Sequence, residues 1–250
     1  MSRHFFISEE NIQGRRATLS AVESRHLKLV LRKKIGDAIQ LLSGKGKAYD
    51  GNIVQLEPQV EIEIHSTQIL EEVTSPLLVL CPAVLKNNKM DWLIEKATEL
   101  GIHRILPFES EHGVVKAEEE SSKKISRWER IAQAALKQSG RGIVPQIGPY
   151  FEFEDLLKYA AELDALKLIF SLEDVRSTPL AQLSELIRKK GECSSWIFLI
   201  GPEGGFSPLE EKKAQEAGFH LCSLGSHTLR AETAGIAALS ILKYLRESLQ

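Results

Sequence analysis

The chain has 250 residues, 43% of them hydrophobic and 26% charged, with a formal net charge of −2. That is the composition of a folded globular chain with material for one or two domains, and it excludes a disordered tail, a collagen-like repeat and a globally basic nucleic-acid binder. Cys81, Cys193 and Cys222 are too scattered for a zinc pattern or a disulfide framework, as expected of a metal-free protein of the reducing cytoplasm, and no apolar run reaches the length of a membrane span.

Met1 to Glu10 has no long apolar segment with a cleavage site, so no signal peptide is expected. From Arg3 to about Glu72 the pattern is one of short strands. Ser20 to Leu31 reads as a short helix, with Ser20 as N-cap and Glu23 three residues on. Ala38–Leu42 and Gly51–Leu56 are strand candidates, and Ser43–Lys47 is a flexible turn between them. Val60-Glu61-Ile62-Glu63-Ile64 alternates strictly, the mark of a half-buried strand. Together these predict a compact barrel over residues 1–72. Ten Lys/Arg lie between Arg3 and Lys47 against Glu9, Glu10, Glu23 and Asp37, whereas Asp50 to Glu72 carries six acids and no Lys/Arg. A local basic face is therefore expected, including Arg3, Arg25 and Arg32; the plain alternative is an ordinary solvated surface.

Glu71 to Pro76 reads as a linker, after which residues 73–250 change to alternating β and α. Leu77–Cys81 is a buried strand. Lys89–Leu100 is a helix with Met90, Leu93, Ile94, Ala97 and Leu100 on one face, stopped by Gly101. Ile102–Pro107 is a strand and Ser122–Gln138 a helix. Helices over Phe153–Ala161 and Leu180–Lys189 flank a strand over Leu166–Ser171. The apolar run Trp196–Ile200 enters Gly201-Pro202-Glu203-Gly204-Gly205-Phe206, and then a helix that reaches about Ala217. That helix is opened by Ser207 as N-cap, Pro208 at the first position and Glu210 to close a capping box. A strand over Phe219–Leu224 and a helix over Glu232–Leu245 follow. The result is a mostly parallel sheet covered on both faces.

Chemistry concentrates at the end of the Trp196–Ile200 run. Open α/β sheets bind ligands at the carboxyl ends of their strands. Glycines there admit a ligand close to the backbone and permit positive φ. The turn has neither the G-x-G-x-x-G spacing of a dinucleotide fold nor the G-K-[ST] ending of a P-loop, which argues against a nucleotide-binding oxidoreductase. A non-catalytic RNA-binding module would have no use for such loops.

A second loop, Leu224-Gly225-x-x-x-Leu229-Arg230-x-Glu232-Thr233-Ala234, joins the first. Gly201-Pro202-Glu203-Gly204-Gly205 followed by this loop resembles the RsmE family, the 16S rRNA uridine-N3 methyltransferases of the SPOUT class. Other stretches agree in the right order: Arg3-His4-Phe5-Phe6, then Leu29-Val30-Leu31-Arg32 with Gly36-Asp37. Glu95-Lys96-Ala97-Thr98-Glu99-Leu100-Gly101 comes next, with Pro107 after it, and then Gln138-Ser139-x-Arg141 with Val144-Pro145. The chain departs from the family at Ser226-His227-Thr228, where Pro-Arg-Ile or similar is usual.

The resemblance implies an α/β fold, a SPOUT-type trefoil-knotted parallel sheet with an N-terminal PUA-like RNA-binding β-barrel domain. It implies S-adenosylmethionine bound bent among three loops, against Ser171, Leu172, Glu173, Ile200, Gly201, Glu203, Gly205, Leu224, Gly225, Leu229, Thr233 and Ala234. It further implies a homodimer acting on 16S rRNA of the assembled small ribosomal subunit; another RNA nucleotide is the alternative target. Small residues at Gly235, Ala237, Ala238 and Ser240 would suit a close helix approach in such a dimer, or packing on the sheet. Uridine N3 carries a proton at neutral pH, so the site needs a base or a way to stabilise the uridine anion. Arg230 and Arg141 are the candidate catalytic cations; a salt bridge to Glu232 is the plain role for Arg230 and a helix-end charge that for Arg141.

Overall fold

A computed structural model of the protein describes residues 4–70, 74–86, 88–113, 121–171 and 177–249. The contact pattern divides the chain into two compact units, residues 1–73 with 132–144, and residues 74–131 with 145–250.

In the first unit the described strands are β1 (His4–Phe6), β2 (Ile12–Gln13), β3 (Arg16–Thr18), β4 (Ala38–Leu42), β5 (Lys47–Gln55) and β6 (Glu61–Ile69). They form one mixed sheet in the order β1-β4-β5-β6-β3-β2, in which β1 runs parallel to β4 and the other pairs are antiparallel. The alternation predicted for the last long strand is present: Ile62 and Ile64 are buried while Glu63 is exposed. Those isoleucines join Phe5, Leu27, Leu41 and Ile53 in the core of the sheet. Gly51 marks a register shift between β5 and β6; a Cβ there would lie 2.4 Å from the Glu63 carbonyl oxygen. Only glycine allows the strands to approach so closely.

Between β3 and β4 the predicted helix is shorter and of two kinds. It begins as α1 (Ala21–Arg25), capped by the Ser20 hydroxyl accepting from the Glu23 N–H, and continues as a π-turn over His26–Val30. Glu23 does not close the capping box. Its carboxylate turns inward to Lys137 Nζ at 2.6 Å, an ion pair whose acid is buried and whose lysine is partly so. Val144 N–H donates to the Gly44 carbonyl at 2.9 Å, which ties residues 142–144 to the turn between β4 and β5.

The second unit carries β7 (Leu77–Pro82), β8 (Arg104–Ile105), β9 (Phe108–Glu109), β10 (Gln146–Ile147), β11 (Phe151–Glu152), β12 (Ala165–Ser171), β13 (Ser195–Ile200) and β14 (His220–Ser223). Six of them form a wholly parallel sheet ordered β10-β8-β7-β13-β12-β14, and β9 pairs with β11. Of the predicted strand Ile102–Pro107 only Arg104–Ile105 is in the sheet, and β9, beyond it, belongs to another. Pro107 has no N–H to give a ladder, and its carbonyl accepts instead from Phe151.

The helices are α2 (Asn88–Glu99), α3 (Ser121–Ser139), α4 (Phe153–Ala161), α5 (Leu180–Lys190), α6 (Pro208–Glu216) and α7 (Ala231–Leu249). Every residue of β13 is buried, as a strand covered on both faces requires. The inward face of α4, Phe153, Leu156, Leu157 and Ala160, joins Val79, Ile169, Ile197 and Leu199 in one core cluster. After β14 at the sheet edge, α7 packs against α2, β7 and β13, so the chain recrosses β12 to reach them. Gly235 of α7 meets α2: a Cβ there would lie 2.8 Å from Leu93 Cδ1. Together with the buried Ala238 it packs within the chain, whereas Ser240 is exposed.

Candidate cofactor-binding site and active centre

The site begins with register. Phe170 pairs with Ile200 and Ser171 with Ser223, so β12, β13 and β14 end level with one another and release their loops at one edge. Those loops enclose a cleft lined by Phe170, Ser171, Ile200 to Phe206, Leu224, Gly225, His227, Thr228, Leu229, Ala231 and Ala234. The two glycine motifs, separate in sequence, are thus two walls of one cavity.

Each wall is held by local bonds. The loop after β13 makes a tight turn, with Gly205 N–H donating to the Pro202 carbonyl at 2.9 Å and Gly205 at φ 71°. Its exit is fixed by the full predicted capping box: Glu210 N–H donates to Ser207 Oγ at 3.2 Å, and Ser207 N–H to Glu210 Oε2 at 2.9 Å. Two other glycines sit where a side chain would be tightly crowded. A Cβ on Gly204 would come within 3.0 Å of His112 Cβ, and one on Gly201 within 3.1 Å of the Phe206 ring. The loop after β14 turns at Gly225, φ 113°, whose N–H donates to Ser223 Oγ at 3.1 Å. The Ala234 N–H then donates to the Arg230 carbonyl at 2.8 Å and opens α7.

Two charged contacts border the cleft. Lys89 Nζ, in the first turn of α2, lies 2.7 Å from Glu203 Oε1. Partial burial works against ionisation of Glu203, but the Lys89 hydrogen bond, the residue's own backbone N–H and the charges of Lys89 and Lys86 outweigh it. The carboxyl is held below its ordinary range. Ser171 Oγ donates to the Glu211 carboxylate on α6. Burial raises the thiol of Cys222 to about 12 and that of Cys81 further, which leaves both as inert packing groups.

Of the predicted cofactor residues, Ser171, Ile200, Gly201, Glu203, Gly205, Leu224, Gly225, Leu229 and Ala234 line the cleft. Thr233 is exposed in the first turn of α7 and is not among the lining residues, and Arg230 is an exposed neighbour between Leu229 and Ala231, which are. Leu172, Glu173 and Arg3 lie outside the described residues. Arg25 is exposed in α1 and Arg32 exposed just beyond the π-turn; with the half-buried Arg141 they belong to the first unit. Sequence reasoning missed Lys89, which sits 114 residues from its partner. It also missed Phe170, Phe206 and Ala231, whose apolar character gives no local signal.

Apolar walls, glycine backbone at close quarters and one carboxylate suit a small ligand with an apolar face and a cationic group. The comparisons narrow this. Residues 73–243 match the RNA methyltransferase domain family, and residues 21–64 match the RNA methyltransferase PUA domain family. The chain is therefore an RNA methyltransferase with an attached PUA domain. It is 30% identical to ribosomal RNA small subunit methyltransferase E of Bacillus subtilis, over 93% of this chain and 91% of the relative. It is 31% identical to the protein of that name from Aquifex aeolicus, over 96% and 98%. The crystal structure of ribosomal RNA small subunit methyltransferase E from Neisseria gonorrhoeae bound to S-adenosyl methionine superposes with a TM-score of 0.84 at 32% identity, covering 97% of each chain. A putative methyltransferase from Legionella pneumophila, in complex with the same cofactor, gives a TM-score of 0.85 at 29% identity over 98% of each. The chain belongs to the ribosomal RNA small subunit methyltransferase E family.

Among the described residues no cluster of His, Cys, Asp or Glu is arranged to hold a metal ion, and no helix is long and apolar enough to cross a membrane.

Proposed function

We propose that this protein methylates N3 of a uridine in 16S rRNA, using S-adenosylmethionine, on the assembled small subunit in the cytoplasm. The observation that carries the reading is the shared cleft of the two glycine loops at level strand ends, in a chain whose relatives are solved with that cofactor bound. The cofactor supplies a methyl carbon made electrophilic by a sulfonium. The residues of this chain hold and orient it: Ile200, Leu224 and Leu229 offer apolar contact, Gly201, Gly205 and Gly225 offer backbone groups, and Glu203 offers an ionised acceptor. In the transfer the carbon–sulfur bond breaks as the carbon–nitrogen bond forms, and the N3 proton leaves to solvent. Arg230, at the mouth, stabilises the uridine oxygens as the anion develops, and Arg141 is a second cation for the substrate. Leu172, Glu173 and Thr233 complete the cofactor contacts, and Arg3, Arg25 and Arg32 hold phosphates.

The same reading includes residues 1–72 as the RNA-binding domain, residues 73–250 as the catalytic domain with a knotted carboxyl-terminal part, and a homodimer. The return of the chain from β14 across β12 to α2 and β7 is the path that such threading requires. The test is transfer of labelled methyl to small subunits lacking the modification, followed by digestion and identification of the nucleoside. 3-Methyluridine at a single 16S position supports the proposal. A methylated base of another kind, or no transfer, overturns it.

A further inference from the structure

The helical segment after β3 and the loop that follows leave several apolar side chains in solvent. Glu23 is 6% exposed and Ser24 is buried, while Val22 is 76%, Leu29 63%, Val30 61% and Ile35 64% exposed. An amphipathic helix ordinarily buries the apolar residues and exposes the acid. Here the acid is paired inward with Lys137 and Leu27 is buried, while Val22, Leu29 and Val30 are left in solvent. Val22 lies in α1, Leu29 and Val30 end the π-turn, and Ile35 follows in the loop before β4. Clustered exposed apolar groups of this kind mark interaction sites.

What surrounds them sets the partner. Arg25, Arg32 and Lys34 are exposed on the same segment and carry no ion pair among the described residues. Lys28 is tied to Glu57 at 2.7 Å, Lys33 Nζ donates to the Ala38 carbonyl at 3.4 Å, and the Asp37 carboxylate is occupied by the Lys34 backbone N–H at 2.9 Å. Arg32 closes the turn at φ 51°, a left-handed conformation that side chains rarely adopt. Such strain persists only where the surrounding structure holds it, and it gathers at functional segments. Exposed cations are therefore interspersed with exposed apolar residues along one segment, which complements a polyanion that also displays flat apolar faces.

We propose that this face, centred on Leu29, Val30 and Ile35, docks unpaired bases of the RNA substrate, with Arg25, Arg32 and Lys34 on the flanking phosphates. A duplex hides its base faces and presents only its backbone and groove edges, whereas loops and bulges offer faces for apolar contact. The apolar residues thus select unstacked RNA, and the cations supply charge attraction that is indifferent to sequence. This rests on RNA being the substrate.

The experiment compares wild type with the triple variant Leu29→Ser, Val30→Ser, Ile35→Ser and with the milder pair Leu29→Ala, Val30→Ala. Binding is measured by fluorescence anisotropy on a single-stranded oligonucleotide and on a blunt duplex of equal length, at two salt concentrations. Circular dichroism and thermal melting serve as folding controls. The triple variant is expected to bind the single strand about tenfold more weakly, from the lost apolar burial, with duplex affinity and salt slope unchanged. The alanine pair is expected to show a smaller loss of the same kind. Equal losses on both RNAs, or none in a folded variant, overturn the proposal. So does a loss confined to intact small subunits with protein-free 16S rRNA bound normally, since that assigns the face to a ribosomal protein. Methyl transfer by the wild type is measured separately: no transfer together with an intact single-strand preference removes the proposed activity and leaves the surface standing.

Discussion

Replacing Gly205 by valine tests the cofactor site with the least disturbance to the fold. Gly205 stands at φ 71°, and a Cβ there meets nothing within 4 Å in the folded chain. The folded protein therefore bears backbone strain but no clash. A left-handed residue with a side chain costs about 1–2 kcal/mol, against about 5–15 kcal/mol for the stability of a typical domain, so the variant folds. Gly205 lines the cleft, and with a valine at this positive φ the free loop relaxes away from the turn that binding must restore. Strain recovered on relaxation and paid again on binding weakens affinity roughly 5–30-fold at 1.4 kcal/mol per factor of ten, before any overlap with the ligand is counted. Gly205→Asn, which tolerates positive φ, should lose less, and Gly205→Ala should fall between them. Calorimetric titration with S-adenosylmethionine measures the series, and circular dichroism confirms folding. A folded Gly205→Val variant with wild-type affinity would refute both the strain argument and the placement of the cofactor.

Lys137→Met leaves the buried Glu23 carboxylate without its 2.6 Å partner. Because Lys137 keeps some exposure, the loss should sit near the lower end for buried pairs, about 3 kcal/mol, and a thermal scan should show a fall of roughly 6–12 °C; an unchanged midpoint contradicts it. Lys89→Met frees Glu203. Since the folded-state pKa of Glu203 is depressed, its contribution is complete above the ordinary carboxylate value and disappears as pH falls through the depressed one. The melting gap between this variant and wild type should accordingly shrink as pH drops from about 7 toward about 4, and a gap that widens rejects the linkage. Arg25→Ala with Arg32→Ala should raise the apparent substrate constant and flatten its salt dependence, whereas Arg230→Ala should lower kcat and kcat/KM together; steady-state kinetics at two salt concentrations show whether these roles are reversed. Sedimentation velocity at micromolar concentration should give a dimer, and a monomer throughout that range removes it.

Much of the cleft was legible because its parts are locally determined. A capping box spans four residues and a glycine turn five, so Ser207 to Glu210 and Gly201 to Gly205 carry their own instructions. The buried run over β13 is equally self-contained. What sequence could not show was pairing at a distance. That the two loops are walls of one cleft follows from the level ends of β12, β13 and β14, a property of register. Lys89 reached Glu203 only once α2 had been laid against the sheet. Gly235 and Ala238 looked as suitable for a subunit interface as for internal packing, and Leu93 settles at least that glycine on the intramolecular side.

The helix after β3 shows a different limit. Ser20 and Glu23 are the right residues for a capping box, and the hydroxyl half of it forms. The carboxylate half is lost to a stronger competitor. A half-buried lysine offers Glu23 a charge-assisted bond that the N-cap N–H does not match. Drawing that carboxylate inward fixes the rotation of the helix, and rotation decides which residues face water. Leu27 is then buried, while Leu29 and Val30 are committed to solvent. Pattern rules assume that apolar burial chooses the face, and here an ion pair chose it. The segment thus departs from its local rules at one residue, and that departure exposes the apolar patch assigned above to RNA. The two features are separable: Glu23→Gln with Lys137→Met removes the charge that holds the helix in this rotation. If the ion pair sets the face, that double variant should lose the single-strand preference without any change to Leu29, Val30 or Ile35. Retained preference in a folded double variant would mean that the core around Leu27 alone orients the helix.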